Sequence, residues 1–339
     1  MRYRESALAM KNNHAEVMQS LADEHDVLAA LIGADRVHYL DIPMHRNIGD
    51  LLIMSGTLRF FERYQIRIGV KAAYFSYRTR WALPNDVIVF QGGGNFGDLY
   101  DGHQQARHSV IQALPRNRII ILPQTIHFRS KDAYEECCKT FSQHPDLHIC
   151  VRDRSSYELA LPMSRHVYLL PDMAHQLWPI QRSRHPESRH LALMRVDKER
   201  ANAIATDFDL RADWEELFQR SEKRRIQRAC RLLRALHLMH FSLARVSHGL
   251  DLWVEYVGKF IDDAVHLFSR FDIITTDRLH AHLLACLMGI PNTIWNNSYG
   301  KNHTYAAAWT GSSDIVQLGQ SVLPDEKSPT DKYGETQNT

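Results

Sequence analysis

Apolar positions along the chain fall into two textures. Between residues 8 and 32, Leu8, Val17, Leu21, Val27 and Leu31 recur among polar neighbours, the spacing of a surface helix. Short apolar runs then take over, at Val37–Leu40, Ile66–Val70, Val87–Phe90, Ile119–Leu122, Leu147–Val151 and Val167–Leu170. Each run ends in polar, Gly or Pro residues, and most are followed by a helix-like stretch. Strand, turn and helix in repetition predict a parallel sheet covered on both faces.

A polar stretch with two prolines, 179–189, interrupts the series and reads as a linker. Strand-sized runs resume at His190–Arg195, Phe271–Thr275 and Asn292–Trp295, with a long helical insertion over 213–270 between the first two. The predicted fold is α/β. A helical segment (1–35) precedes a Rossmann-like domain (36–178), and a second Rossmann-like domain (190–322) carries the insertion, with a cleft between the two. The polar tail, 323–339, is predicted to be disordered.

Composition adds exclusions. A chain of 339 residues, 44% hydrophobic and 24% charged, has enough apolar surface for two cores and is not a disordered polymer. Lys plus Arg number 41 against 39 Asp plus Glu, so the chain is not a polycation and nucleic acid is not an expected partner. No apolar run approaches the roughly 20 residues of a bilayer helix. The charged N-terminus (Arg2, Arg4, Glu5, Lys11) has no apolar block behind it, unlike a secretory signal. Five scattered cysteines without a CxxC pair argue against a disulfide framework or zinc knuckle and predict a cytoplasmic protein.

In parallel sheets ligands bind at the carboxyl ends of the strands, so the residues following each run carry the functional information. They are Asp41-Ile-Pro-Met-His45-Arg-Asn47-Ile-Gly49-Asp50, Gln91-Gly92-Gly93-Gly94-Asn95-Phe96-Gly97-Asp98, Pro123-Gln124-Thr125-Ile126-His127, Arg152-Asp153 and Pro171-Asp172. The second half adds Arg195-Val196-Asp197 and Thr276-Asp277-Arg278-Leu279-His280. Seven such ends, rich in His, Arg, Asp, Asn and Gly, mark an active cleft. Gly92-x-Gly94-x-x-Gly97 formally matches a dinucleotide fingerprint, but its strand lies mid-domain and the next strand end offers no acidic residue for a ribose. Its glycines fit either a tight turn or bare amides approaching an anion or sugar.

No metal site is expected. His280 and His282 are two residues apart, His237 and His240 lack nearby carboxylates, and there is no HExxH, GxSxG or P-loop.

Taken in order, His45-x-Asn47-Ile48-Gly49-Asp50, the Gly92–Asp98 run, Leu122-Pro-Gln-Thr125, Arg152-Asp153-x-x-Ser156, Pro171-Asp172, Arg195-x-Asp197, Asp277-Arg278-Leu279-His280, Gly289-Ile-Pro291 and Asn297-Ser-Tyr-Gly-Lys301 resemble the polysaccharide pyruvyl transferase family. The resemblance spans roughly residues 36 to 310. It implies a fold like the two-domain GT-B glycosyltransferases, with phosphoenolpyruvate as donor and no further cofactor. The acceptor it implies is a sugar hydroxyl pair on an exopolysaccharide precursor, for instance a lipid-linked oligosaccharide, which receives pyruvate as a cyclic ketal. The long basic insertion after Asp213 departs from the family pattern.

The chemistry suits these residues. A donor with a carboxylate and a phosphate asks for guanidinium groups, which pair bidentately with both. Arg152 and Arg278 stand at strand ends of opposite halves, where both can reach one donor; each also suits an ion pair bracing the domains. The resemblance places both on the donor, and Arg195 and Lys301 are further donor-binding candidates, Lys301 equally a solvated surface lysine. Protonating the enol methylene and deprotonating a hydroxyl are tasks for an imidazole. His280 is the candidate, or else a donor to a local carbonyl. It shares a side with Arg278 if the chain is extended there, and a first helical turn if a helix begins at Asp277. Acceptor-binding candidates are His45, Asn47, Asp50, Gly93, Gly94, Asn95, Asp98 and His127, although Asp50 alternatively caps a helix starting near Leu51.

From residue 220 to 245 eight cations (Arg220, Lys223, Arg224, Arg225, Arg228, Arg231, Arg234, Arg245) face one acid, Glu222, among leucines and isoleucine. Such a helix either docks on an anionic membrane, here the inner face of the plasma membrane, or packs its apolar face inward and solvates its charges. Two other functions fit the same architecture: a nucleotide-sugar glycosyltransferase and a non-catalytic glycan-binding scaffold.

Overall fold

A computed structural model of the chain describes residues 11–194, 208–214, 220–238, 243–296 and 301–319. The chain opens on α1 (His14–Asp23) and α2 (Asp26–Ile32), followed by β1 (Val37–Leu40), α3 (Ile48–Arg63), β2 (Ile68–Ala72), β3 (Val87–Phe90) and β4 (Gly93–Gly97). Then come α4 (Asp101–Ala113), β5 (Ile119–His127), α5 (Lys131–Phe141), β6 (Leu147–Val151), α6 (Arg154–Ala160) and β7 (His166–Leu169). These strands form one parallel sheet in the order β2-β1-β3-β5-β6-β7, with β4 paired to β5.

A second parallel sheet is built from β8 (Ser188–Leu193), β9 (Leu210–Ala212), β10 (Phe271–Thr276), β11 (Asn292–Ile294) and β12 (Val316–Leu318). Its order is β12-β11-β10-β8-β9. Helices α7 (Arg220–Leu238) and α8 (Leu243–Phe268) lie between β9 and β10, and α9 (Leu279–Leu287) and α10 (Lys301–Ala308) follow β10 and β11. Both sheets reverse direction beside their first strand, between β1 and β3 and between β8 and β10. Loops diverge at such switch points and leave a crevice at the strands' carboxyl ends.

The strands are buried as continuous apolar runs because helices cover both faces. Every residue of β1, β3 and β6 is buried. A single apolar cluster runs from Val37, Tyr39 and Leu51 in the first half through Trp253, Phe260, Ile274 and Leu284 in the second.

Some elements differ from the sequence expectation. The predicted surface helix is two helices, broken at Glu24 and His25, because the His25 imidazole turns inward between Pro171 O and the Gln176 amide; residues 8–10 lie outside the described residues. The strand expected at Ile66–Val70 begins two residues later, since the Ile66 amide closes the end of α3 on Phe61 O. The glycine run, expected as a tight turn or as bare amides facing a ligand, forms strand β4, and β9 and β12 are three-residue strands that the apolar pattern does not show. The expected linker 179–189 is tied to the second half, with Ile180 N on Leu287 O of α9 and Glu187 N on Arg270 O in the turn before β10, and its last two residues already belong to β8. The tail 323–339 lies outside the described residues.

Candidate active site

The loop after β1 opens with Asp41, a buried aspartate in the left-handed region (φ 65°). Its carboxylate accepts from Arg107 Nη2 at 2.9 Å, His103 Nδ1 at 2.5 Å and Asn95 Nδ2 at 3.1 Å. Arg107 is fully buried on α4, and such a charge is tolerable only when paired and bonded. The unusual backbone of Asp41 is therefore held by a network crossing β1, β4 and α4. At the end of the same loop Asn47 caps α3, accepting from Gly49 N at 2.9 Å, so the helix starts at Ile48 and Asp50 is not its cap. The Asp50 carboxylate sits 3.7 Å from His45 Nε2, in the helix's first turn.

The glycines of β4 have separate duties. Gly93 and Gly97 have φ near 130°, a region closed to ordinary side chains, and a Cβ on Gly97 would stand 1.7 Å from His127 O. Gly94 opens to the cleft, where a Cβ would lie 3.6 Å from Arg152 Nη2. The helix after this run begins only at Asp101, so the dinucleotide turn into a helix is absent at these glycines.

Arg152 follows β6. Its Nη1 donates to Asp172 Oδ2 at 2.5 Å and its Nε to Thr125 Oγ1 at 3.0 Å. Asp172, fully buried after β7, also accepts from Ala174 N at 2.9 Å and from His280 Nε2 at 3.4 Å, the latter on the oxygen Arg152 uses. Burial alone would raise this carboxyl; the His280 hydrogen bond and the charges of His280 and Arg152 outweigh burial and hold it below the ordinary carboxylate range.

Arg278 occupies the N-cap position of α9, and His280 lies in that helix's first turn. The helix thus starts two residues later than the helical alternative had it: Arg278 precedes it in extended backbone and only His280 lies in its first turn. Arg278 Nη2 contacts the buried Asp213 carboxylate at 2.5 Å, while its Nε finds no hydrogen-bond partner among the described residues. The imidazole of His280 rests on α3: a Cβ on Gly49 would stand 2.4 Å from its Nδ1.

These groups converge. A cleft of about 730 Å3 is walled by Asp41, His45, Asn47, Asp50, Gly94, Asn95, His103, Arg152, Trp214, Arg278 and His280. An adjoining hollow of about 480 Å3 shares Asn47, Gly94, Arg152, Trp214, Arg278 and His280 and adds Thr125, His127 and Asn302. Arg152 and Arg278, from the ends of different sheets, thus face the same space. Of the other expected residues, Asp98 holds the turn before α5 by accepting from Arg129 N and Ser130 N, each at 2.8 Å, and is not part of either wall. Gly93 is buried, with Asp50 and Ile53 of α3 nearest to where its Cβ would stand. Arg195 and Asp197 lie outside the described residues, as do positions 297–300; Lys301 begins α10. His103 and Trp214 were not anticipated. Among the described residues, no group of three or more His, Cys, Asp or Glu stands together as metal ligands would, and no helix is long and apolar enough to cross a membrane.

The fold and this site define a parallel α/β protein with its polar chemistry gathered at the strand ends. The chain belongs to the polysaccharide pyruvyl transferase family, whose model matches residues 47–299. It is 34% identical over 323 residues to a Bacillus subtilis protein named "Putative pyruvyl transferase EpsO", covering 94% of this chain and 98% of that one. It is 27% identical to "Pyruvyl transferase 1" of Schizosaccharomyces pombe, over 86% of this chain and 74% of the relative. The crystal structure of an uncharacterized Klebsiella pneumoniae protein shares the fold, with a TM-score of 0.55 at 17% identity over 90% of this chain and 99% of that one. Family membership supports a transferase that moves pyruvate in polysaccharide biosynthesis.

Proposed function

We propose that the chain transfers pyruvate from phosphoenolpyruvate to a pair of sugar hydroxyls on an exopolysaccharide precursor, forming a cyclic ketal. The observation that carries this reading is the shared cleft of Arg152 and Arg278, with His280 beside them. The two guanidinium groups take the donor's carboxylate and phosphate. Each is oriented by a buried carboxylate, Asp172 or Asp213, so little rearrangement is needed when the donor arrives. His280 gives a proton to the enol methylene, making C2 electrophilic, and recovers one from the first attacking hydroxyl. The Asp172 carboxylate, 3.4 Å from His280 Nε2, stabilises the charged ring beside the donor. Attack by the second hydroxyl, whose proton His103 takes and passes on to the departing phosphate, closes the ketal and breaks the C2–O bond to phosphate. Atoms balance: one diol and one phosphoenolpyruvate give one ketal and one inorganic phosphate.

On the acceptor side, His103, fixed by Asp41 and packed 4.1 Å from the Tyr74 ring, serves as base for a hydroxyl, while His45, Asn47 and Asp50 bind the sugar. Asn95 acts through Asp41 and Arg107, and Gly94 leaves room for the ring. Trp214, on both cleft walls, supplies the apolar platform. His127 extends the acceptor site, and Arg195 and Lys301 add donor contacts. In this reading the two sheets are the cores of two Rossmann-like domains (36–178 and 190–322) arranged as in GT-B enzymes, and the protein works in the cytoplasm.

Helix α7 supports a peripheral position at the inner membrane face. Arg224, Arg225, Arg228 and Arg231 are exposed without an ion-pair partner among the described residues, beside a Leu232 that is 61% exposed. The test is incubation of the purified protein with phosphoenolpyruvate and the cell's lipid-linked glycans. Phosphate release with a matching mass gain of the acceptor is expected. Thermal stabilisation by nucleoside diphosphates but not by phosphoenolpyruvate would instead indicate a glycosyltransferase, and failure to float with anionic vesicles at low salt would remove the membrane assignment.

A further inference from the structure

Helix α7 also closes one side of a separate hollow of about 440 Å3 next to the cleft. Met44, the buried Ile226 and the half-buried Cys230 give it an apolar lining, and the Cys230 thiol is anchored 3.1 Å from Met44 O. Arg231 and Arg234, one helical turn apart, stand at its edge as exposed cations. The Arg234 guanidinium is already positioned, 4.8 Å from the centre of the Phe75 ring and 3.2 Å from Tyr74 Oη. His45 and Arg46 line both this hollow and the cleft, so a molecule leaving the cleft past these two residues enters it.

A neutral glycan has no use for paired guanidinium groups around an apolar lining. A diphosphate joined to a hydrocarbon chain uses both, through bidentate hydrogen bonds to its oxygens and burial of its first carbons. We propose that this hollow is the subsite for the diphosphate and first hydrocarbon units of a lipid-diphosphate acceptor, whose sugar reaches the cleft past His45 and Arg46. The identity of the cleft's occupant rests on the pyruvyl-transfer reading; the claim about the hollow is tested without catalysis.

The probe is farnesyl diphosphate below its micellar concentration, titrated into the full-length protein by calorimetry, with inorganic pyrophosphate and farnesol as comparisons. Binding about tenfold tighter than pyrophosphate or farnesol is expected. The double variant Arg231→Gln/Arg234→Gln is expected to weaken it by about tenfold or more, while Arg278→Ala leaves it within about twofold. Both arginines are exposed, so the double variant is expected to melt like the wild type. The proposal is overturned if farnesyl diphosphate does not bind, if pyrophosphate or farnesol binds as tightly, or if Arg278→Ala rather than the glutamine pair removes binding. Absence of phosphate release with intact farnesyl diphosphate binding would instead count against the pyruvyl-transfer reading alone.

Discussion

The imidazole of His280 fills the space that a side chain at position 49 would need: a methyl group on Gly49 would come within 2.4 Å of His280 Nδ1. The residues are more than 200 positions apart and belong to helices packed against different sheets. An imidazole seated on a helix's first turn is held by contact as well as by its bond to Asp172. Gly49→Ala therefore tests the position of the ring without changing the ring. Alanine favours the helix by about 1 kcal/mol over glycine, so stability is expected to hold while the imidazole is displaced. The turnover rate is expected to fall by about tenfold or more, consistent with the cost of misplacing a reacting group. Unchanged turnover would show that His280 has no fixed role in the reaction.

Arg278 offers a second separation, between charge and shape. Arg278→Lys keeps a cation near Asp213 but loses the planar fork, including the Nε that has no hydrogen-bond partner among the described residues. If that fork receives the donor, kcat/KM for phosphoenolpyruvate falls on the order of a hundredfold, with little change in melting temperature. A lysine variant with wild-type kinetics would leave Arg278 only a bracing ion pair.

The pattern of short apolar runs located nine of the twelve strands among the described residues and, through them, Arg152, Arg278 and His280, because parallel sheets collect chemistry at one end of their strands. What stayed hidden depends on tertiary partners. Strand β4 holds three glycines and becomes a strand only by pairing with β5, which a local pattern cannot show. Asp41 was visible at a strand end, but its partners His103 and Arg107 lie 62 and 66 positions away on a helix. Trp214 follows a three-residue strand too short to register as a periodic run. Asp98 matched its motif yet serves the turn before α5, since its oxygens accept from the amides of Arg129 and Ser130.

His103 lines the cleft without having been visible in the sequence pattern, and the base role proposed for it is open to a direct test. His103→Gln preserves the polarity of the position, while the buried pairing of Asp41 with Arg107 keeps the network intact. A drop in turnover of about a hundredfold is expected, the usual cost of losing a general base. Stabilisation by phosphoenolpyruvate is expected to be unaffected if Arg152 and Arg278 hold the donor as proposed. Loss of donor binding together with turnover would place His103 on the donor instead.

The buried histidines set a limit on acid tolerance. Burial lowers His25 and His282 to about 4 and His175 to about 3, and all three are fully enclosed. His25 donates from Nε2 to Pro171 O and accepts at Nδ1 from Gln176, an arrangement that requires the neutral ring. In the unfolded chain the same rings titrate near the ordinary value of 6.5. Between these values the unfolded state binds protons that the folded state refuses, so stability is complete above about pH 7 and falls as the pH drops toward 4. The slope reaches roughly 1.4 kcal/mol per pH unit for each ring in the middle of that window. Asp172 does not offset this loss, because its depressed carboxyl stays ionised until lower pH. Urea unfolding at pH 7.5, 6 and 5 is expected to show a steadily falling midpoint, with a shallower fall in His25→Gln, whose amide can still donate to Pro171 O. A midpoint that is flat across this range would mean that these rings accept protons inside the folded core.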